Sequence, residues 1–231
     1  VTSPNRLVLW DIDLTLVELR GLGMHWYRRA LATATGTELV HEPPTAGRTE
    51  RWISTEILTA HGLPADDASV RRLFAALTEA VEADLDVLPV RGRALPGAVE
   101  ALDALARRAD VVQGLVTGNL VEIAKHKLGA FGLDRRLDLA IGGYGAESLV
   151  RADLVAAAVE AATTRHTDGF AADAVIVFGD SPHDITAARH HGAVAVGVAT
   201  GHSSAAELRA AGADVVLADL ADTAAVLEIL V

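Results

Sequence analysis

The chain has 231 residues, 51% hydrophobic and 4% aromatic, with 20 basic against 31 acidic side chains for a net charge of −11. A net-acidic chain with scattered arginines excludes nucleic acid and anionic membranes as expected partners, and the absence of cysteine excludes disulfides and thiolate metal sites. No run approaches the roughly 18 apolar residues of a membrane helix, and residues 1–6 lack a signal-like apolar stretch, so a cytoplasmic location is expected.

In chain order, residues 7–10 form the first short apolar run, and similar runs follow at 111–116, 175–178 and 194–198. They are rich in Val, Ile and Leu without clear alternation, as in strands covered on both faces of a parallel sheet. Weaker strands are expected at 137–141 and 215–217. Between them, Ala- and Leu-rich segments at 96–107, 121–131, 152–163, 184–191, 205–211 and 223–230 carry helical spacing. Residues 17–92 break the alternation. Helical patterns at 24–35, 50–61 and 66–86 have no convincing strand among them. The expected fold is α/β: a doubly wound, Rossmann-like parallel sheet of residues 1–16 and 93–231, with an all-helical cap inserted at 17–92.

Three strand ends carry polar residues. After the first strand stand Asp11 and Asp13, whose spacing points both side chains the same way in extended backbone. Such a pair needs a proton or a cation between its charges, and Mg²⁺ suits oxygen donors. Asp11 is then a candidate nucleophile toward phosphorus, and Asp13 a candidate proton donor. Thr117-Gly118-Asn119 follows the second strong strand and precedes a helix, where a hydroxyl and main-chain N–H groups can hold phosphate oxygens. Gly179-Asp180-Ser181 closes the third, with Asp184 one turn later. Asp180 suits a metal, and Asp184 suits supporting it or pairing with a cation. Taken singly, each motif also fits ordinary helix capping.

Together, Asp11-x-Asp13-x-Thr15, Thr117-Gly118-Asn119 and Gly179-Asp180-Ser181-x-x-Asp184 resemble the haloacid dehalogenase superfamily of aspartate-nucleophile phosphohydrolases. The branch containing phosphoglycolate phosphatase and β-phosphoglucomutase is the most similar. The resemblance implies that Asp11 is the nucleophile and Asp13 the acid/base. It further implies that Thr117 binds phosphate, and that Asp11, the Asp13 main-chain carbonyl and Asp180 bind Mg²⁺. The family's usual lysine, before the helix that precedes the last motif, is missing. Arg151 is the best candidate to replace it, as a fixed cation for the phosphate and the aspartyl charge. Lys125 and Lys127, the only lysines, are expected to reach solvent from within a helix.

Asp13 argues against haloacid dehalogenation, which needs no proton donor. The lack of a lysine in 17–92 argues against the Schiff-base chemistry of phosphonoacetaldehyde hydrolases. The leading expectation is Mg²⁺-dependent hydrolysis of small phosphorylated metabolites, phosphoglycolate phosphatase-like, by a monomer or homodimer. A β-phosphoglucomutase-like sugar phosphomutase and a non-catalytic binding protein on the same fold are the alternatives. Arg20, His25, Arg28 and Arg48 are the cap residues expected to meet substrate. His183 is read as a helix-surface residue.

Overall fold

In the computed structural model, which describes residues 5–166 and 169–230, strand and helix alternate with one helical departure. The ends of the expected core, residues 1–4 and 231, lie outside the described residues. β1 (Arg6–Trp10) precedes β2 (Val17–Leu19), α1 (Leu22–Thr35), α2 (Glu50–Ala60), α3 (Asp67–Glu82) and the short α4 (Leu88–Arg91). β3 (Gly92–Ala94), α5 (Ala98–Ala106), β4 (Val111–Thr117), α6 (Val121–Gly129) and β5 (Gly142–Tyr144) follow. The chain continues through α7 (Arg151–Arg165), β6 (Val175–Gly179), α8 (Pro182–His190), β7 (Val194–Val198), α9 (Ala205–Ala210), β8 (Val215–Leu217) and α10 (Thr223–Glu228).

Six strands pair in parallel in the order β5-β4-β1-β6-β7-β8. The chain leaves β1 first toward β4 and later toward β6. That reversal opens a crevice at the carboxyl ends of the central strands, where ligands bind in such sheets. Alternate residues of β1 enter opposite cores. Leu7 and Leu9 pack with Leu154 and Val155 of α7 and Ile185 of α8, while Val8 and Trp10 pack with Leu102 of α5 and Val226 of α10. Coverage on both faces explains the unbroken apolar runs. Trp10 stacks on its register neighbour Phe178 at 4.2 Å and donates Nε1–H to buried Gln113 at 3.1 Å.

The helical segment has its own core. Trp26, Ala30 and Leu31 of α1 meet Ile53 and Ile57 of α2 and Leu73, Leu77 and Val81 of α3, each set falling on one helical face. Leu120 and Ile123, at the start of α6, complete this cluster and join it to the sheet side. Thr49 caps α2 and Asp66 caps α3 through their side-chain oxygens. Two main-chain bonds seat α2 on the strand-end loops: Glu50 N–H to Gly118 O and Arg51 N–H to Gly145 O, both 2.8 Å. Any Cβ at Gly118 would lie 2.1 Å from Arg48 O, and one at Gly145 1.6 Å from Gly118 O, so only glycine permits this approach. Among the described residues no helix is long and apolar enough to cross a membrane.

Two strand expectations need correction. The region expected to lack strands contains β2, which pairs antiparallel with β3 through Val17–Ala94 and Leu19–Gly92; three-residue strands are too short to show a period. Residues 137–141 form no strand. The edge strand is β5, Gly142-Gly143-Tyr144, which reads poorly as a strand because packing demands its glycines. A Cβ on Gly143 would lie 1.8 Å from Leu154 O of α7.

Candidate active site

β1, β4 and β6 end side by side, and the folding brings Asp11, Asp13, Gly118, Asn119, Asp180 and Asp184 around one crevice, with Thr117 fully buried behind Asn119. Asp11 is 6% exposed, its N–H fixed to Phe178 O at 2.9 Å. Carboxylate oxygens of Asp11, Asp180 and Asp184 lie within 4.8 Å of one another. Arg151, the first residue of α7, pairs with two of them. Its Nη2 donates to Asp11 Oδ1 at 2.7 Å and its Nε to Asp184 Oδ1 at 2.7 Å. Asp184 also closes a capping box, its Oδ2 accepting from Ser181 N at 3.1 Å and Oγ at 2.6 Å. Glycine at 179 is what leaves room for it, since a Cβ there would sit 2.2 Å from Asp184 Cγ.

Three carboxylates against one guanidinium give the cluster an excess of negative charge. Burial pushes the Asp11 carboxyl up from the ordinary 3.8 to about 7, against the pull of Arg151 and with Asp184 and Asp13 adding to the rise. Burial, then the charges of Asp184 and Asp11, push Asp180 up to about 9. Strongly shifted acids in a cleft mark a functional site more often than a structural one.

Asp13 faces away from that cluster. Its carboxylate takes two hydrogen bonds of 2.7 Å from Lys127 Nζ and one of 2.8 Å from Asn119 Nδ2. Asn119 in turn donates to Thr117 Oγ1 at 2.7 Å and accepts from Lys127 at 2.7 Å, so Thr117, Asn119, Lys127 and Asp13 form one closed network. This corrects the expectation for Lys127, which is 7% exposed; Lys125 does reach solvent. The signal lay in α6 itself. Lys127 follows Ile123 and Ala124 at helical spacing, on the face they bury.

Leu14 follows Asp13 with φ 61°, the left-handed region that a branched side chain seldom enters, and its carbonyl accepts from Thr200 Oγ1 at 2.5 Å. The turn thus directs the chain from Asp11 and Asp13 straight into β2.

A cavity of about 380 Å³ joins these strand ends to the helical segment. Of the expected cap contacts, Arg20 and Arg48 line it and His25 does not. Arg20 bonds Glu18 at 3.4 Å, and the Arg48 guanidinium lies 4.3 Å over the Trp52 ring. His25 stands 3.8 Å from Asp84, half-exposed, and Arg28 pairs with Glu42 at the surface. His183 is half-buried against Gly47 and walls a second hollow beside Trp52 and Val150. Glu50, which sequence reading passed over, and Tyr27 are buried and line the cavity, with Tyr27 Oη donating to Glu50 Oε1 at 2.7 Å.

Comparison with known proteins agrees with this geometry. No protein of curated function matches the chain. Among solved structures, a hydrolase from Pseudomonas syringae is 25% identical, with a TM-score of 0.68 over 97% of this chain and 98% of that one. A predicted phosphoglycolate phosphatase from Haemophilus somnus is 19% identical, with a TM-score of 0.66 over 96% and 98% of the two chains. A β-phosphoglucomutase-like protein from Thermotoga maritima is 21% identical, with a TM-score of 0.62 over 98% and 100%. The last two likenesses concern the fold. The family model for haloacid dehalogenase-like hydrolases matches residues 8–189, from β1 into α8. Because that match spans every strand end from which the crevice is built, the chain belongs to the haloacid dehalogenase-like hydrolase family.

Proposed function

We propose that the chain hydrolyses small phosphate monoesters in a Mg²⁺-dependent reaction through an aspartyl-phosphate on Asp11, in the manner of the phosphoglycolate phosphatase-like branch, with residues 17–92 as its cap. The observation that supports this most is the Asp11–Arg151 contact of 2.7 Å, buried beside Asp180 at the strand ends. A nucleophilic carboxylate needs such a fixed cation to approach a phosphoryl group of like charge.

The donor chemistry fits Mg²⁺: the cluster offers only oxygens, and its carboxylates outnumber the one guanidinium. Asp11 and Asp180 would hold the ion by side chain and Asp13 by its main-chain carbonyl, with Asp184 kept in place by Arg151 and Ser181. When bound, Mg²⁺ keeps Asp11 ionised and offsets charge on the phosphoryl oxygens. Thr117, Gly118 and Asn119 hold those oxygens by hydroxyl and main-chain N–H groups ahead of α6. The free oxygen of Asp11 attacks phosphorus as the bond to the leaving oxygen breaks. Asp13 gives that oxygen its proton, then takes one from the water that releases phosphate from Asp11. Asn119 and Lys127 aim Asp13 for both transfers.

The test is phosphate release from a panel of phosphorylated metabolites with Mg²⁺ and with EDTA. Metal-dependent release is expected. Conversion of a sugar phosphate to its isomer without free phosphate would contradict hydrolysis.

Lys127→Met is expected to cost alkyl phosphates about 10- to 100-fold in kcat, and p-nitrophenyl phosphate much less, because a good leaving group needs no aimed acid. Equal losses on both would contradict the aiming role.

Stability should depend on pH in a metal-sensitive way. The folded chain holds the Asp11 and Asp180 protons more tightly than the unfolded chain does. This contribution is fully present below the ordinary 3.8 and is lost as pH rises through about 7 for Asp11 and about 9 for Asp180. Exposed acids with lowered values, such as Asp66 and Asp67, act in the opposite sense only below the ordinary 3.8. With EDTA, Tm should therefore fall across the neutral-to-alkaline range, and Mg²⁺ should restore more of it the higher the pH. A metal-free Tm that rises over that range would contradict the carboxylate assignment.

A further inference from the structure

The cavity has two unlike sides. Strand ends and their loops supply Asp11, Asp13, Gly118, Asn119 and Asp180. The helices supply Met24, Trp26, Ile53, Leu77 and Ile123, an apolar wall. If phosphate sits at the strand ends, as the proposed function requires, the alcohol it leaves must rest against the helices.

One acid interrupts that wall. Glu50 opens α2, is 5% exposed and lines the cavity. Tyr27 Oη holds its Oε1 at 2.7 Å, which orients the carboxylate and leaves it further acceptor capacity. The cations nearby are already engaged: Lys127 with Asp13 and Asn119, Arg151 with Asp11 and Asp184, Arg20 with Glu18. Arg48 also borders the cavity, but its guanidinium is stacked over Trp52, on the side of the second hollow. A carboxylate on the leaving group, placed against Glu50, would meet an acid and apolar side chains, and the cation that acts on Glu50, Lys127, is already bonded to Asp13 and Asn119. A hydroxyl would find an oriented acceptor.

Resting on the phosphatase reading, we infer that Glu50, oriented by Tyr27, selects leaving groups that carry hydroxyl donors and no negative charge, and rejects carboxylate-bearing phosphate esters. Repulsion of the wrong ligand is as effective a source of selectivity as attraction of the right one. Phosphoglycolate then falls among the rejected esters, which narrows the expectation drawn from family resemblance.

Glycerol phosphate and phosphoglycerate form a matched pair, differing at one end by a hydroxymethyl group against a carboxylate. Burial pushes the Glu50 carboxyl up to about 7, so the assay belongs on the alkaline side of that value, where the acid is charged. The wild type should favour glycerol phosphate in kcat/KM by at least about tenfold. Glu50→Gln should bring the ratio toward parity, with phosphoglycerate gaining. Tyr27→Phe keeps the charge, so it should still reject phosphoglycerate while weakening on glycerol phosphate. Should Glu50→Gln fail to fold, the wild-type ratio and Tyr27→Phe carry the test. p-Nitrophenyl phosphate serves as the reference ester. Its hydrolysis combined with a wild-type preference for phosphoglycerate, or with a ratio unmoved in Glu50→Gln, would overturn the selectivity alone. No Mg²⁺-dependent hydrolysis of any ester would overturn the phosphatase reading and this inference with it.

Discussion

Asp11→Asn is expected to lower Mg²⁺-dependent phosphate release by on the order of 10⁴-fold or more, since removing a covalent nucleophile disables the whole reacting unit. The fold should persist. Asn has the same shape, and the buried Asp11 carboxyl, pushed up to about 7, already resists ionisation in the metal-free chain. At alkaline pH the variant should unfold at or above the wild-type Tm in EDTA, because a costly buried charge is gone. Loss of activity with retained or raised metal-free Tm separates a chemical defect from a folding one. Turnover near wild type, with metal present, would sink the nucleophile assignment.

Arg151→Ala is expected to damage both chemistry and fold. Removing a fixed cation from a developing phosphoryl charge costs about 10²- to 10³-fold in kcat. Breaking a buried ion pair on one side costs roughly 3–5 kcal/mol, because the carboxylates are left without compensation. Here two carboxylates, Asp11 and Asp184, lose the same partner, and both are almost fully buried. The Tm loss should therefore exceed that of Asp184→Asn and be partly relieved by Mg²⁺. Arg151→Lys should recover only part of either property. A single ammonium cannot reproduce the fork that reaches Asp11 through Nη2 and Asp184 through Nε. Full activity in the lysine variant would show that charge alone suffices, and the fork would lose its role.

Much of this site was legible from local pattern. Asp11, Thr117 and Asp180 each stand where a short apolar run ends, and a parallel sheet covered on both faces writes those runs plainly. Arg151 was legible through the family resemblance, as the cation best placed to replace the missing lysine. What stayed hidden lies at long sequence range or in small residues. Lys127 meets Asp13 across 114 positions, and only its place on the buried face of α6 hinted at an inward role. Glu50 carried no sequence signal of its own, since its partner Tyr27 lies 23 residues earlier, on another helix. β5 was missed because Gly142 and Gly143 are selected by the closeness of Tyr144 and Leu154, which erases the apolar signature of a strand. Arg48 was legible as a cap cation, but its stacking on Trp52 depends on the turn from Thr49 into α2.

The central claim is a covalent phosphoryl group on Asp11. Its most direct test is to quench the enzyme in acid during turnover of a phosphate ester with Mg²⁺, digest it, and weigh the peptides. The account predicts one added phosphoryl group on the peptide containing Asp11, absent in Asp11→Asn and absent in EDTA. A protein that releases phosphate under these conditions while that peptide stays unmodified, or carries the group elsewhere, would contradict it.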